Sequence, residues 1–247
     1  MNSSKILKLG SVDSTNNYAM KYFDSIPKNT LITAEEQTGG KGRRGKTWYS
    51  PKNTNLYASY IIKQTPFPTY KATWIGGLAT LYTIREFTRL SDFWIKWPND
   101  IYYNLKKIAG ILSESHIQSS NQIDGVVLGI GLNVNMTSYD LSHIDKPATS
   151  ILELTKTTRD ITILSNLLLE NLDKFYSLAI SKGINYIFEK WKKENALIGK
   201  TIEIFKNNDT TISAKVLDID TTGELIVSDK KAKIHKVFSG DISIKKF

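Results

Sequence analysis

The chain has no cysteine among its 247 residues. A disulfide framework, a thiolate metal site and a cysteine nucleophile are therefore excluded, and nothing hints at an oxidising compartment. Histidine is nearly as scarce. His116, His143 and His235 make no H-E-x-x-H spacing and no G-x-S-x-G elbow occurs, so zinc and serine hydrolysis lack their parts. Long apolar runs are missing as well: no segment approaches the roughly 20 residues of a bilayer-spanning helix, and Met1 to Gly10 lacks the apolar stretch of a secretory leader. The expectation is a soluble, cytoplasmic protein without a membrane partner.

What is present is globular. Hydrophobic residues make up 40% and charged residues 23%, enough apolar material for a sizeable core. Lys and Arg number 33 against 24 Asp and Glu, a formal charge of +9. That excess invites a nucleic-acid reading, but the 28 lysines are scattered among acidic and polar neighbours, as on an ordinary solvated surface. Arginine is different. Only five occur, and two of them stand together as Arg43-Arg44 in a segment that also holds Lys41 and Lys46.

Along the chain, Ile6 to Leu9 reads as a strand, and Asp13-Ser14 offers an N-cap to a helix running through Phe23. Thr30 to Glu35 predicts a strand, and Gln37 to Asn53, with four glycines between Gly39 and Gly45, predicts a long loop of the kind that usually carries function. A strand over Asn55 to Ile62 is followed by a helix over Tyr70 to Arg89. Strands over Phe93 to Trp97, Ile101 to Tyr103, Lys107 to His116 and Val126 to Val134 come next, with a hairpin turn at Asn104 to Lys106. Asp160 caps a strong helix, and a second helix covers Ile184 to Asn195. After Gly199 five short alternating segments follow within about fifty residues, which fits a small barrel. The expected domains are 1–197 and 198–247.

Gly40 to Thr47, GKGRRGKT, satisfies the Walker A expression. Its mechanism needs a helix directly after the loop, where backbone N–H groups and the lysine converge on phosphate. Here Trp48-Tyr49-Ser50-Pro51 and a β-rich run follow instead, so a true P-loop is not expected. The chemistry still suits phosphate: glycines admit a ligand to the backbone, and arginine grips phosphate bidentately.

Several segments taken in order resemble the biotin protein ligases. Gln37 to Trp48 is similar to their glycine-arginine loop, Lys96-Trp97-Pro98-Asn99-Asp100 to their KWPND box, and Lys107 to Leu112 to their K-[IL]-A-G-I-L strand. Val127 to Asn135 resembles their G-[IA]-G-[IL]-N segment, Asp13 to Asn16 their D-S-T-N, and Gly240 to Ser243 a closing piece of their barrel. The resemblance implies the family fold: an α/β (α+β) catalytic domain around a mixed sheet, related to class II aminoacyl-tRNA synthetases, with a small C-terminal SH3-like β-barrel. It also implies the family reaction, in which biotin is activated by ATP, accompanied by Mg²⁺, to biotinyl-5′-AMP and passed to a lysine of a biotin carboxyl carrier domain.

By the same resemblance Lys107 and Arg43 are the catalytic pair. Lys107 touches the biotin carboxylate and the α-phosphate, supplying charge where negative charge builds up, and Arg43 clamps the intermediate. Biotin is assigned to Ser14, Thr15, Asn16, Gln37, Gly40, Lys41, Gly42, Arg43 and Lys107, whose polar groups suit a ureido ring too costly to bury unpaired. Ser14 has a second reading, as the helix N-cap itself. ATP is assigned to Arg43, Arg44, Trp48, Asn99, Asp100 and Asn133. No resident metal is expected. Lys41 and Lys46 stand where family loops commonly carry Arg, keeping charge and losing the bidentate fork. The D-S-T-N segment begins only twelve residues after Met1, so no helix-turn-helix and no nucleic-acid partner are expected, and a homodimer is left open. Two alternatives remain: lipoate ligation on a related fold, and a basic nucleic-acid-binding regulator.

Overall fold

A computed structural model describes residues 5–117, 123–205, 211–238 and 241–244. Seven strands form one mixed sheet: β1 (Lys5–Val12), β2 (Thr30–Gln37), β3 (Leu56–Lys63), β4 (Phe93–Lys96), β5 (Asp100–Tyr103), β6 (Lys106–Ile117) and β7 (Ile123–Leu132), in the order β1-β2-β3-β7-β6-β5-β4. Only β1 and β2 pair in parallel, joined through α1 (Thr15–Lys21); every other neighbouring pair is antiparallel.

Period-two alternation decides what each face of this sheet carries. On one face Tyr60 and Ile62 of β3, Ile111 of β6 and Val126, Leu128 and Ile130 of β7 join the main core beneath α2 (Ala72–Thr88), α5 (Ile161–Lys182) and α6 (Ile184–Lys193). On the other face Ile61 and Val127 pack with Ala19 and Phe23 in a smaller cluster under α1. Ser59 of β3, Glu114 of β6 and Gly129 and Gly131 of β7 share that second face by register, since Ser59 opposes Gly129 and Glu114 opposes Val127.

The expected elements are found with modest differences. The first helix stops at Lys21 rather than Phe23, whose ring is buried against His116, 4.0 Å between centroids. Asp160 caps α5 as anticipated, its Oδ1 accepting from the N–H groups of Thr162 and Ile163. Asn104 adopts a left-handed φ of 51° and turns β5 into β6. Two short helices, α3 (Ser138–Leu141) and α4 (Ile151–Thr155), were not anticipated; each is too brief to show a periodic stripe.

Five strands, β8 (Thr201–Phe205), β9 (Thr211–Ile219), β10 (Leu225–Asp229), β11 (Ile234–Val237) and β12 (Asp241–Ile244), make a separate antiparallel sheet ordered β11-β10-β9-β8-β12. The turn residues Asn207 to Asp209 and Ser239-Gly240, and with them the start of the closing Gly240 to Ser243 motif, lie outside the described residues. The apolar side of this sheet, including Ile202, Val216 and Leu225, is continuous with the main core. Trp97 ties the two sheets by donating its Nε1–H to the Gly223 carbonyl at 2.8 Å, and Lys192 pairs with Asp218 at 2.6 Å.

Candidate active site

A partly open cleft lined by polar and glycine residues lies on the α1 face of the seven-stranded sheet. Ten of the residues selected from sequence line it: Ser14, Thr15, Asn16, Gln37, Lys41, Gly42, Arg43, Trp48, Asn99 and Lys107. They come from the start of α1, the end of β2, the loop beyond it and the β4–β6 region. Only the fold brings them together.

Two glycines of β7 make the floor. A Cβ at Gly129 would stand 2.5 Å from Asn16 Oδ1, and one at Gly131 would stand 2.3 Å from the Trp48 indole. Any side chain at either position would expel its neighbour, so the pattern Gly129-Ile130-Gly131 makes a pair of seats on one face, with the intervening Ile130 turned into the core on the other. The seats are two residues apart, about 7 Å along a strand. The first takes a carboxamide, the second an aromatic ring.

Around the Gly129 seat the groups are polar and buried. Thr15 donates its backbone N–H (2.9 Å) and its hydroxyl (3.1 Å) to Gln37 Oε1, while Gln37 Nε2 donates to Ser50 Oγ at 3.0 Å. Ser59, fully buried, places Oγ 2.8 Å from Thr15 Oγ1 and 2.5 Å from Asn16 Oδ1, and Asn16 Nδ2 donates to Glu114 Oε2 at 2.6 Å. Ser14 is buried at the N-cap position of α1 yet makes no capping hydrogen bond. Ser14 thus holds the N-cap position without a side-chain capping bond and lines the cleft, while Asp13 accepts from the side-chain amide of Asn17 one turn on. That hydrogen bond holds the Asp13 carboxyl below its ordinary range.

Around the Gly131 seat the groups are charged. Lys107 Nζ lies 2.7 Å from Asp100 Oδ1 and 5.0 Å from the centre of the Trp48 ring. Its backbone is fixed on both sides, N–H to the Pro147 carbonyl and carbonyl to Thr149 N–H, each at 2.9 Å. Trp48 Nε1 is buried with no hydrogen-bond partner among the described residues. Arg43 donates Nη1–H to Asn99 Oδ1 at 3.0 Å, and Asn99 donates in turn to the Ile111 carbonyl at 2.7 Å. The KWPND turn therefore holds both cations, Arg43 through Asn99 and Lys107 through Asp100.

The loop from Thr38 to Thr47 folds back on itself, with Gly42 N–H bonded to the Lys46 carbonyl at 2.6 Å and a bridge between Lys41 and Thr47. It hangs on α1 through Gly39 N–H to the Asp13 carbonyl (2.8 Å) and Lys41 Nζ to Asn17 Oδ1 (2.5 Å). No α-helix follows it before Ala72, so the Walker A match lacks its structural context, as expected.

Four selected residues do not line the cleft. Gly40 is buried, its carbonyl accepting Trp48 N–H at 2.9 Å. Arg44 is exposed, with a left-handed φ of 57°. Asp100 pairs with Lys107. Asn133, just past the end of β7, donates Nδ2–H to the Thr149 carbonyl at 3.0 Å, in the segment that hydrogen-bonds the Lys107 backbone, and its Oδ1 has no partner among the described residues. Sequence reasoning missed Ser59 and Glu114. Ser59 left a signal, a polar residue inside the apolar strand LYASYIIK, whereas Glu114 sits in the polar run SES and left none.

With the geometry in place, comparison decides the family. Residues 9–133, half of the chain, match the model of the Biotin/lipoate A/B protein ligase family. The chain belongs to that family. It is 30% identical over 224 residues to the bifunctional ligase/repressor BirA of Bacillus subtilis, covering 90% of this chain and 68% of that one. It is 26% identical over 218 residues to the biotin–[acetyl-CoA-carboxylase] ligase of Mycobacterium tuberculosis, covering 86% and 77%. The fold is similar to that of biotin protein ligase from Aquifex aeolicus in complex with biotin and ATP, with a TM-score of 0.81 and 24% identity over 99% of this chain and 100% of that one. Within the family, the mixed seven-stranded sheet with a small antiparallel sheet beside it is the common architecture of this chain and that structure.

Proposed function

We propose that the protein is a biotin–protein ligase that uses ATP to activate biotin and then acylates a lysine of a biotin carboxyl carrier domain. In the first step a carboxylate oxygen of biotin forms a bond to the α-phosphorus of ATP, the α–β anhydride bond breaks, and pyrophosphate leaves. In the second the acceptor amine attacks the acyl carbon, loses a proton, and AMP departs. The observation that carries this reading is Lys107 beside the aromatic seat, one step along β7 from a buried polar seat. A carboxylate-tailed ligand with its ring against the polar groups around the Gly129 seat would bring its tail to that ammonium, which offsets the repulsion between carboxylate and phosphate.

The family also includes lipoate ligases, and the polar seat separates the two substrates. Asn16, Thr15, Gln37 and Ser14 can pair a cyclic urea, with one carbonyl and two N–H groups. A dithiolane ring would leave them unpaired in a buried place. Discrimination on the order of 10⁴ is the expectation for such a site. Arg43 and Arg44 suit phosphate, Trp48 suits the adenine, and Mg²⁺ enters as the counter-ion of ATP, held by phosphate oxygens and water. The chemistry of the donor set fits that assignment: among the described residues the one metal-competent trio, Asp24, His116 and Asp124, does not line the cleft. We further read the five-stranded sheet as an SH3-like barrel forming its own domain, 198–247, and the larger sheet, in 1–197, as related to class II aminoacyl-tRNA synthetases.

ATP–pyrophosphate exchange measured with biotin, with lipoate and with neither tests the reading. Exchange that requires biotin is expected; exchange driven equally by lipoate would overturn the assignment.

A further inference from the structure

Four oxygens form a chain under the polar seat: Asn16 Oδ1, Ser59 Oγ, Thr15 Oγ1 and Gln37 Oε1, separated successively by 2.5, 2.8 and 3.1 Å. Two of them belong to amides, which bring no hydrogen when their oxygens point inward, and two belong to hydroxyls with one hydrogen each. Three contacts therefore share two hydrogens. The bed has more acceptors than hydrogens, which suits a ligand edge that arrives with N–H donors.

That surplus exists only while both amides keep their oxygens inward. The oxygen and nitrogen ends of a carboxamide are nearly the same size, so the partners decide the orientation rather than the shape. Gln37 is held by Thr15 N–H on its oxygen and by Ser50 on its nitrogen. Asn16 is held by Glu114: a carboxylate only accepts, so it takes the Nδ2–H group at 2.6 Å and turns the carbonyl toward Ser59. Glu114 stands on the same sheet face but does not line the cleft, so it reaches a ligand only through Asn16.

We propose that Glu114 is a positioning residue for biotin: it fixes the Asn16 amide so that this end of the cleft presents acceptors to the ureido N–H groups. The inference rests on the biotin reading above. In Glu114→Gln the new amide donates as readily as it accepts, Asn16 is free to turn over, and a flipped Asn16 adds hydrogens to a bed whose value lies in lacking them.

Steady-state pyrophosphate exchange on the full chain, with KM for biotin and for ATP measured separately beside a thermal melt, is the test. Losing one charge-assisted orientation should raise the biotin KM about 10-fold in Glu114→Gln. The KM for ATP, the rate at saturating biotin and the melting temperature should stay near wild type. Glu114→Asp, which keeps an acceptor-only group, should recover part of the loss. The transposed pair Asn16→Asp with Glu114→Gln should bind biotin better than Glu114→Gln alone, because an aspartate at position 16 can only accept. An unchanged biotin KM in Glu114→Gln, a parallel rise in both KM values with a lowered melting temperature, or no recovery in the pair would each overturn the inference. A wild-type enzyme whose exchange ignores biotin would overturn the reading beneath it, which is a different result.

Discussion

The cleft is bounded by two kinds of structure: groups on β2, β3, β6, β7 and the start of α1, and the glycine-rich segment 38–47. The first kind is buried and cross-linked. Ser59, Thr15, Asn16 and Gln37 bond one another across three elements, with Ser59 and Gln37 set by strand register and Thr15 and Asn16 by the start of α1. The second kind is largely exposed and closes on itself through Gly42, Lys46 and the Lys41–Thr47 bridge, with tethers to α1 and to Asn99. Recognition of a small ring gains from groups already ordered, because no entropy is left to lose on binding. Holding a reactive anhydride until a protein acceptor arrives needs a part that can open, which a loop supplies at low cost.

If the division holds, the largest loss comes from the strand-borne cation. Lys107→Ala should lower biotin-dependent pyrophosphate exchange by at least about 100-fold, as removal of a group aimed at developing charge does, while the melting temperature moves little. An unchanged exchange rate would remove Lys107 from the chemistry.

Next comes the loop-borne cation, which should affect retention more than synthesis. Arg43→Gly gives up a charge-assisted contact worth about 1.5–3 kcal/mol, so the intermediate should escape roughly 10- to 100-fold faster. Biotin incorporation into serum albumin, with wild type and variant matched for pyrophosphate release, reads the leak. Equal labelling would move the clamp to Arg44 or Lys41.

A smaller effect tests order itself. Lys41, Arg43, Arg44 and Lys46 give trypsin four sites in the loop, and cleavage should slow several-fold when biotin and ATP are saturating, because an anion between the cations replaces their mutual repulsion. Identical cleavage with and without ligands would count the loop among the rigid parts and dissolve the contrast.

The smallest expected change concerns the tether on α1. The Asn17 hydrogen bond lowers the Asp13 carboxyl below its ordinary range, and Lys41 lowers it further, so the stabilisation is present above the unfolded value and is lost as pH falls through the folded one. Asp13→Asn should therefore melt about 1 °C below wild type at pH 7, the size of an exposed contact, and the gap should close toward pH 3. A gap that grows in acid would reverse the sign of the proposed contribution.

Local pattern determined much of this molecule. Alternation placed the strands because residues two apart share a face, and Asp160 with the leucine stripe behind it placed α5 because a cap and a 3.6-residue period are local properties. The ordered motifs Asp13 to Asn16, Gln37 to Trp48, Lys96 to Asp100 and Lys107 to Leu112 were legible for the same reason, each being contiguous, and ten of the residues chosen from them and from neighbouring positions meet at one cleft. Tertiary structure decided the rest. Whether Ser14 caps α1 or faces the cleft, and whether Asn133 meets a ligand or holds Thr149, depends on where distant chain arrives. Glu114 becomes the partner of Asn16 across 98 residues only because β6 pairs with β7 in a register that sets it on the face α1 covers, and a shift of one residue would send it into the core.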